Sequence, residues 1–335
     1  MGLLVPPRSV RISSIQAVVE ILDLRHFRSS DLRSLLDEES RAWSRLLSWD
    51  YTGSAEMILR YMDARILPGY AWVENKLIHG YSFFVYEGSK GVIGDLFVHP
   101  AYSGQGQYSI EERLLGHVIE TLQQSPGINR IEAQLLLHEA ASMARPFIEE
   151  GFRRYPRLFM VLPLNSGSDN GNHWSQRLPD VEFHKWSDED FQGAASVITT
   201  AYRDHIDSEI NDQYRTSAGS MRFLNNIIRF PGCGLFDPEA SLVARSRTTR
   251  APLGVILCSR VRSDVGHVTQ VCVAPEYRGR GLGKALLLMA CGELNRRGCR
   301  ALSLTVTEAN TPAVTLYKHM GFAIHRIFDA FVWEG

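Results

Sequence analysis

The stretch VCVAPEYRGRGLGKALL, residues 271–287, decides how the chain is read. It opens as a strand: Val271, Cys272 and Val273 are compact or β-branched, and Pro275 lacks the N–H a ladder needs, so pairing stops near Ala274. Past the glycines, Leu282, Ala285, Leu286, Met289, Ala290 and Leu294 recur at helical spacing, and Lys284, Glu293, Arg296 and Arg297 fall on the wet face. Gly298 supplies a stop. Between strand and helix lies Arg278-Gly279-Arg280-Gly281-Leu282-Gly283, a glycine-rich turn feeding a helix N-terminus. Unpaired amides and the positive dipole end gather there, which makes the junction an anion site.

Spacing selects the anion. A Walker loop places glycine six positions before the Lys of Gly-Lys-Ser/Thr, but Arg278 stands there and Ala285 follows Lys284. A dinucleotide fingerprint started at Gly279 meets Lys284 where its third glycine belongs. The pattern that fits is Arg/Gln-x-x-Gly-x-Gly/Ala behind the strand end Val273-Ala274-Pro275-Glu276-Tyr277. This resembles the pyrophosphate loop of the GNAT superfamily of acyl-CoA-dependent N-acyltransferases. A diphosphate must approach several main-chain N–H groups at once, so bare positions at Gly279, Gly281 and Gly283 are expected to leave it room beside Leu282. Arg278, Arg280 and Lys284 offer cationic contacts or a solvated surface.

Residues 300–307 alternate as a half-buried strand does, and a short helix with Pro312 in its first turn follows. Asn310, Ala313, Leu316, Tyr317, Gly321 and Phe322 match the other signature of the same superfamily, Asn-x-x-Ala-x-x-Leu-Tyr-x-x-x-Gly-Phe. The resemblance implies that Asn310 and Ala313 lie against the cofactor and that the Tyr317 hydroxyl protonates the departing CoA thiolate. A thiol of pKa ~8.5 leaves as an anion, and a phenol of pKa ~10 can supply the proton. The resemblance also implies that main-chain groups at Val271, Cys272 and Val273 pair with the pantetheine arm and polarise the thioester carbonyl. The attacking amine needs a base; His267 near the start of the strand is the candidate, with Glu308 or ordered water as alternatives.

The 335 residues exceed one comfortable core and predict two domains. With 44% hydrophobic and 22% charged residues and a formal net charge of -1, the composition is that of an ordinary globule with no general pull toward nucleic acid or acidic membranes. No apolar run reaches the roughly 18 residues of a bilayer span, and Met1 to Pro7 is too short for a secretory core. Pro6 also spoils a myristoylation signal, and a cytoplasmic location is expected. Cys233, Cys258, Cys272, Cys291 and Cys299 lack any ligand spacing, so free core thiols and no metal are expected.

A polar run from Pro163 to Asn172 divides the chain nearly in half, and the halves repeat. Val98-His99-Pro100-Ala101-Tyr102-Ser103-Gly104-Gln105-Gly106-Gln107-Tyr108 sets itself against Val273 to Gly283. Ser103 replaces Arg278, and Tyr108 replaces Gly283 and puts a side chain where a diphosphate would sit. Phe147 stands for Tyr317 and Ala140 for Asn310, so the proton donor is gone. The apolar face Ile110, Leu114, Leu115, Val118, Ile119 and Leu122 survives. Residues 1–164 therefore read as a degenerate, non-catalytic copy, either structural or keeping a cleft for another ligand or part of the substrate. Residues 165–179 read as a linker and 180–335 as the catalytic domain binding acetyl-CoA. The expected fold is α/β, two tandem GNAT-like domains, each a mixed, mostly antiparallel sheet flanked by helices.

Acceptor choice is expected in the segment from Tyr202 to Arg215. Asp204, Asp207, Glu209 and Asp212 could draw a cationic amine or form a solvated face, and Tyr202, His205, Tyr214 and Phe230 to Gly232 could wall the pocket. The expected activity is transfer of acetyl from acetyl-CoA to a primary amine of a small molecule, by direct attack in a ternary complex, in a monomer or homodimer. A peptide or protein N-terminus as acceptor, or acyl-CoA binding without turnover, are the competing expectations.

Overall fold

The computed structural model describes residues 19–104, 109–164, 177–230 and 232–335. The first half runs β1 (Val19–Asp23), α1 (Ser29–Leu47), α2 (Thr52–Asp63), β2 (Gly69–Glu74), β3 (Leu77–Glu87), β4 (Lys90–Val98), α3 (Ile110–Gln124), β5 (Arg130–Gln134), α4 (Ala144–Glu149) and β6 (Arg153–Pro163). The second runs β7 (Val181–Lys185), α5 (Phe191–Ala201), α6 (Ile206–Ile210), α7 (Ser217–Arg229), β8 (Leu235–Phe236), β9 (Leu242–Ser246), β10 (Pro252–Arg262), β11 (Val265–Val273), α8 (Leu282–Arg296), β12 (Ala301–Thr307), α9 (Thr311–His319) and β13 (Ala323–Glu334). The order of elements repeats between the halves, apart from the short additions α6 and β8. Most of the proposed linker, residues 165–176, and the blocking residue Tyr108 lie outside the described residues.

The two mixed sheets are joined, which the sequence pattern did not reveal. The strand order is β1-β2-β3-β4-β5-β13-β6-β12-β11-β10-β9-β7, with β8 paired to β10. The last strand of each half thus lies against the other half: β13 pairs with β5, and β6 pairs with β12. Phe159 and Phe328, both fully buried on these strands, pack in one cluster with Trp49 of the first half and Val261 and Val265 of the second. Leu158 and Met160 of β6 belong to the core of the second half.

Each half repeats one local device. Antiparallel pairing of β3 with β4 slips between Phe83 and Phe84, and that of β10 with β11 slips between Leu257 and Cys258. Such a bulge bends its strand. The parallel neighbours then part company: β4 and β5 are paired only as far as Ile93 and Ala133, and β11 and β12 only as far as Val268 and Leu304. Beyond those points each pair of strands opens into a notch.

In the first half, buried side chains bond to and stack on one another around this region. Asp95 accepts hydrogen bonds from Tyr51 (3.0 Å) and from the Leu96 N–H (2.8 Å), and Glu39 accepts from Tyr81 (2.6 Å). Trp43 stacks on Tyr51 with ring centroids 4.9 Å apart. Phe147, in the place of Tyr317, stacks at 4.0 Å on Phe331 of the exchanged strand. The N-terminus of α3 is also satisfied internally: Ser109 accepts from the Glu112 N–H, the Glu112 carboxylate accepts from the Ser109 N–H, and Glu111 adds a second acid to the first turn. Two carboxylates at that dipole end repel phosphate.

Candidate active site

The notch of the second half is an open cleft of about 750 Å³. Val268 to Val273 of β11 form one wall and Leu304 to Val306 of β12 the other, with α8 and α9 at one end and Tyr202, His205, Asp207 and Tyr214 at the other. Gln134 and Arg157 reach it from the first half.

At the α8 end, Gly279 and Gly281 take φ of +73° and +86°, a left-handed conformation that side chains with a Cβ resist. Gly281 is the N-cap of α8 and has no side chain to satisfy the first-turn amides, in contrast to Ser109 of α3. Gly279, Gly281, Leu282, Gly283 and Lys284 line the cleft there. The arrangement fits a diphosphate: free N–H groups, the positive end of a 15-residue helix, and a lysine. The cationic residues divide. Arg278 lines the cleft but donates through Nη2 to the Ala201 carbonyl (2.5 Å) at the end of α5, and Arg280 lies over the Tyr277 ring at 5.0 Å.

Asn310, Ala313 and Tyr317 come to the same cleft on α9. Asn310 caps the helix by accepting from the Ala313 N–H at 3.3 Å. Burial raises the Tyr317 phenol above its ordinary pKa, with nearby Asp207 adding to the effect, and burial likewise pushes the Cys272 thiol up to about 12. Burial thus disfavours the anion of either group.

A scan of known families matches residues 201–322 to the acetyltransferase (GNAT) family. A mycothiol acetyltransferase of Thermobispora bispora is 50% identical over 291 residues, covering 83% of this chain and 84% of that one. The chain belongs to the GNAT acetyltransferase family. A mycothiol acetyltransferase of Renibacterium salmoninarum is 28% identical over 239 residues, covering 68% of this chain and 63%, just under two thirds, of its own length. Among solved structures, a tandem GNAT protein from the clavulanic acid biosynthesis pathway superposes with a TM-score of 0.55 at 16% identity over 95% of this chain and 98% of that one. The chain is thus an N-acetyltransferase with two GNAT-like halves, and the family match falls on the second.

Within this GNAT frame, His267 is not brought to the cleft. It lies before the cleft-lining stretch of β11, covered by the first half, 5.0 Å from the Trp49 ring, with Nδ1 2.9 Å from the Ser303 hydroxyl. Burial pushes its pKa down to about 4. Glu308 is exposed and does not line the cleft, and neither does Phe230, which is also exposed; Pro231 lies outside the described residues.

The acidic segment divides as well. Asp212 pairs with the buried Lys90 (2.8 Å) of the first half, Glu209 pairs with Arg153 (3.3 Å), and Asp204 is exposed. Only Asp207 of the four faces the cleft, where its carboxylate accepts from the Thr307 hydroxyl. Tyr202 and Tyr214 stack at 4.4 Å beside it, and His205 Nδ1 accepts from the Asp207 N–H at 3.1 Å.

Sequence reasoning missed Gln270. Its Oε1 accepts from both the Val271 N–H (2.9 Å) and the Tyr202 hydroxyl (2.8 Å), so the Val271 amide expected to face a thioester is held by the neighbouring side chain. The repeat contained a signal: Asp95, its counterpart, binds the next N–H and a tyrosine in the same way.

Proposed function

We propose that this chain is an acetyl-CoA-dependent N-acetyltransferase whose catalytic cleft belongs to residues 180–335, and that its acceptor is a small primary amine of the kind named for its relatives, the deacetylated form of mycothiol. Bound acetyl-CoA would supply the acetyl thioester. The first-turn amides of α8, with Lys284, hold its diphosphate, and Val271 to Val273 run along its arm. Asp207 attracts the amine and takes the proton it sheds as nitrogen bonds to the acetyl carbon. Tyr317 gives its proton to the sulfur as the carbon–sulfur bond breaks, and no covalent enzyme intermediate is needed. Residues 1–164 form a non-catalytic partner that supports the acceptor segment. The observation carrying this reading is the shared cleft: an uncapped glycine-lined helix N-terminus and a buried phenol open into one space.

The test is to incubate the full chain with acetyl-CoA and a panel of amines that includes deacetylated mycothiol and an N-terminal peptide, following acetylated product by chromatography. A small amine should be acetylated, most efficiently the mycothiol form. Acetylation of the peptide alone, or binding of acetyl-CoA without any product, would overturn the reading.

A further inference from the structure

Two polar donors in the cleft have no partner among the described residues: Nε of Arg157 and Nε2 of Gln270, both buried. Their chemistry is fixed. A guanidinium only donates. Gln270 Oε1 is identified by the Val271 N–H that it accepts, so the atom left over is the amide NH₂, another donor. Gln270 is 5% exposed, so water does not readily serve it.

Arg157 comes from the first half. It lies on exchanged strand β6, opposite Thr307 of β12 and Phe328 of β13. Its Nη2 makes only a long contact, 3.5 Å, to the Thr305 hydroxyl, and it forms no ion pair with a described carboxylate. Asp207 lies nearby, since both flank Thr307, yet it is bonded to the Thr307 hydroxyl rather than to the guanidinium. The two donors are linked through one aromatic pair: Gln270 holds Tyr202, Tyr202 stacks on Tyr214, and Arg157 is close enough to Tyr214 to offset part of the rise in its pKa. A buried donor without an acceptor is costly, and most for a charged group. A cleft that keeps two of them beside the Asp207 carboxylate is complementary to a ligand with an amine and hydrogen-bond-accepting oxygen.

We propose that Arg157 of the first half and Gln270 of the second form an acceptor subsite for a carbonyl or carboxylate oxygen borne by the amine substrate, so that the non-catalytic half selects the acceptor. This rests on the acetyltransferase reading of the cleft. A carboxylate would engage the Arg157 fork through two N–H groups and an amide carbonyl through one; both satisfy the same donors.

The test compares three amines that differ only in this group: cysteine, cysteinamide and cysteamine, which lacks the oxygen. With the full chain and saturating acetyl-CoA, KM for the first two should lie about tenfold or more below that for cysteamine, the scale of one charge-assisted hydrogen bond. A preference for cysteine over cysteinamide would assign the group as an anion, and parity would assign it as a neutral carbonyl. Arg157→Ala should raise KM for the oxygen-bearing amines to that of cysteamine, leaving cysteamine and acetyl-CoA constants unchanged, and Arg157→Lys should restore part of the difference. Equal effects of Arg157→Ala on all three amines, or no preference over cysteamine in the wild type, would overturn the proposal. If the wild type acetylates none of them, that activity fails, and the subsite is read instead from equilibrium binding of the same amines to the CoA-loaded chain. The Arg157-dependent preference should persist there, and its absence would overturn the subsite.

Discussion

Tyr317 is a phenol whose burial opposes ionisation, so it remains a proton donor through the whole physiological range. Tyr317→Phe removes one oxygen from a side chain otherwise held by packing, against Phe322 at 5.8 Å among others. Turnover should fall about 10²-fold or more, the scale of general acid catalysis, with acetyl-CoA affinity unchanged by calorimetry. Retained turnover would remove the role. Tyr317 and Asn310 were legible because their spacing is local to one short helix. Asp207 could not be told from Asp212 in sequence, because their different directions are set by docking on the first half. His267 misled because the rings that bury it, Trp49 and Phe159, come from the first half, and its own neighbours in sequence do not encode that covering. In the first half, Glu39 and Asp95 are buried side by side, and desolvation raises both carboxyls above the usual range. A folded-state pKa above the unfolded one gives stability that is complete below the ordinary carboxylate pKa and is lost as pH rises through the raised value. Glu39→Gln imitates the protonated form. Its melting temperature should therefore meet or exceed that of the wild type at alkaline pH, by about 2–4 °C per kcal/mol in a chain of this size, with the gap closing toward pH 4. A gap that widens on acidification would contradict the shared burial of the pair.

The helices α3 and α8 occupy matching positions and end in opposite chemistry. The α8 N-terminus has glycine where α3 has a serine cap and acids, so one end is left for a ligand and the other is closed by the chain. Gly281→Val should weaken acetyl-CoA binding at least about tenfold, because a β-branched residue resists φ of +86° and the turn must reshape. Far-ultraviolet dichroism should show the helices intact, and undiminished binding would remove the loop from the site. Ser109→Ala should cost about 1 kcal/mol of stability in denaturant titration, the usual worth of a cap, and leave acetyl-CoA affinity unaltered. These elements were readable because period and punctuation are properties of neighbouring residues. Tyr108 pointed to the same loss in the first copy. The described residues add Ser109, Glu111 and Glu112 as an independent cause.

At the scale of the molecule, the exchange of last strands binds the halves more tightly than a linker does. β13 is registered against nine residues of β6 and five of β5, and β6 against seven of β12, so each half's final strand completes the other's sheet. None of this was visible in the sequence: alternation specifies that β6 and β13 are buried strands, but a strand's pattern does not name its neighbour. Polar contacts follow the same seam. The Arg130 Nη2 donates to the Glu209 carbonyl (2.6 Å), Glu132 accepts from the Asp212 N–H (3.2 Å), and Gln213 Nε2 donates to Glu87 (3.2 Å), so the acceptor segment rests on the first half. Cutting the chain within residues 165–176 and producing the halves separately should therefore give two unstable pieces. The first would expose the edge of β5 and leave β6 without either neighbour; the second would lose the strand that covers β12 and the residues that seat Tyr214 and Asp207. Exposed edges of this kind aggregate. Produced together, the pieces should assemble into a soluble heterodimer that co-elutes on size exclusion and regains acetyl transfer, because every strand finds its original partner. Should the second piece alone prove soluble, monomeric and as active as the whole chain, the exchanged strands would be dispensable, and the first half would have no part in shaping the cleft.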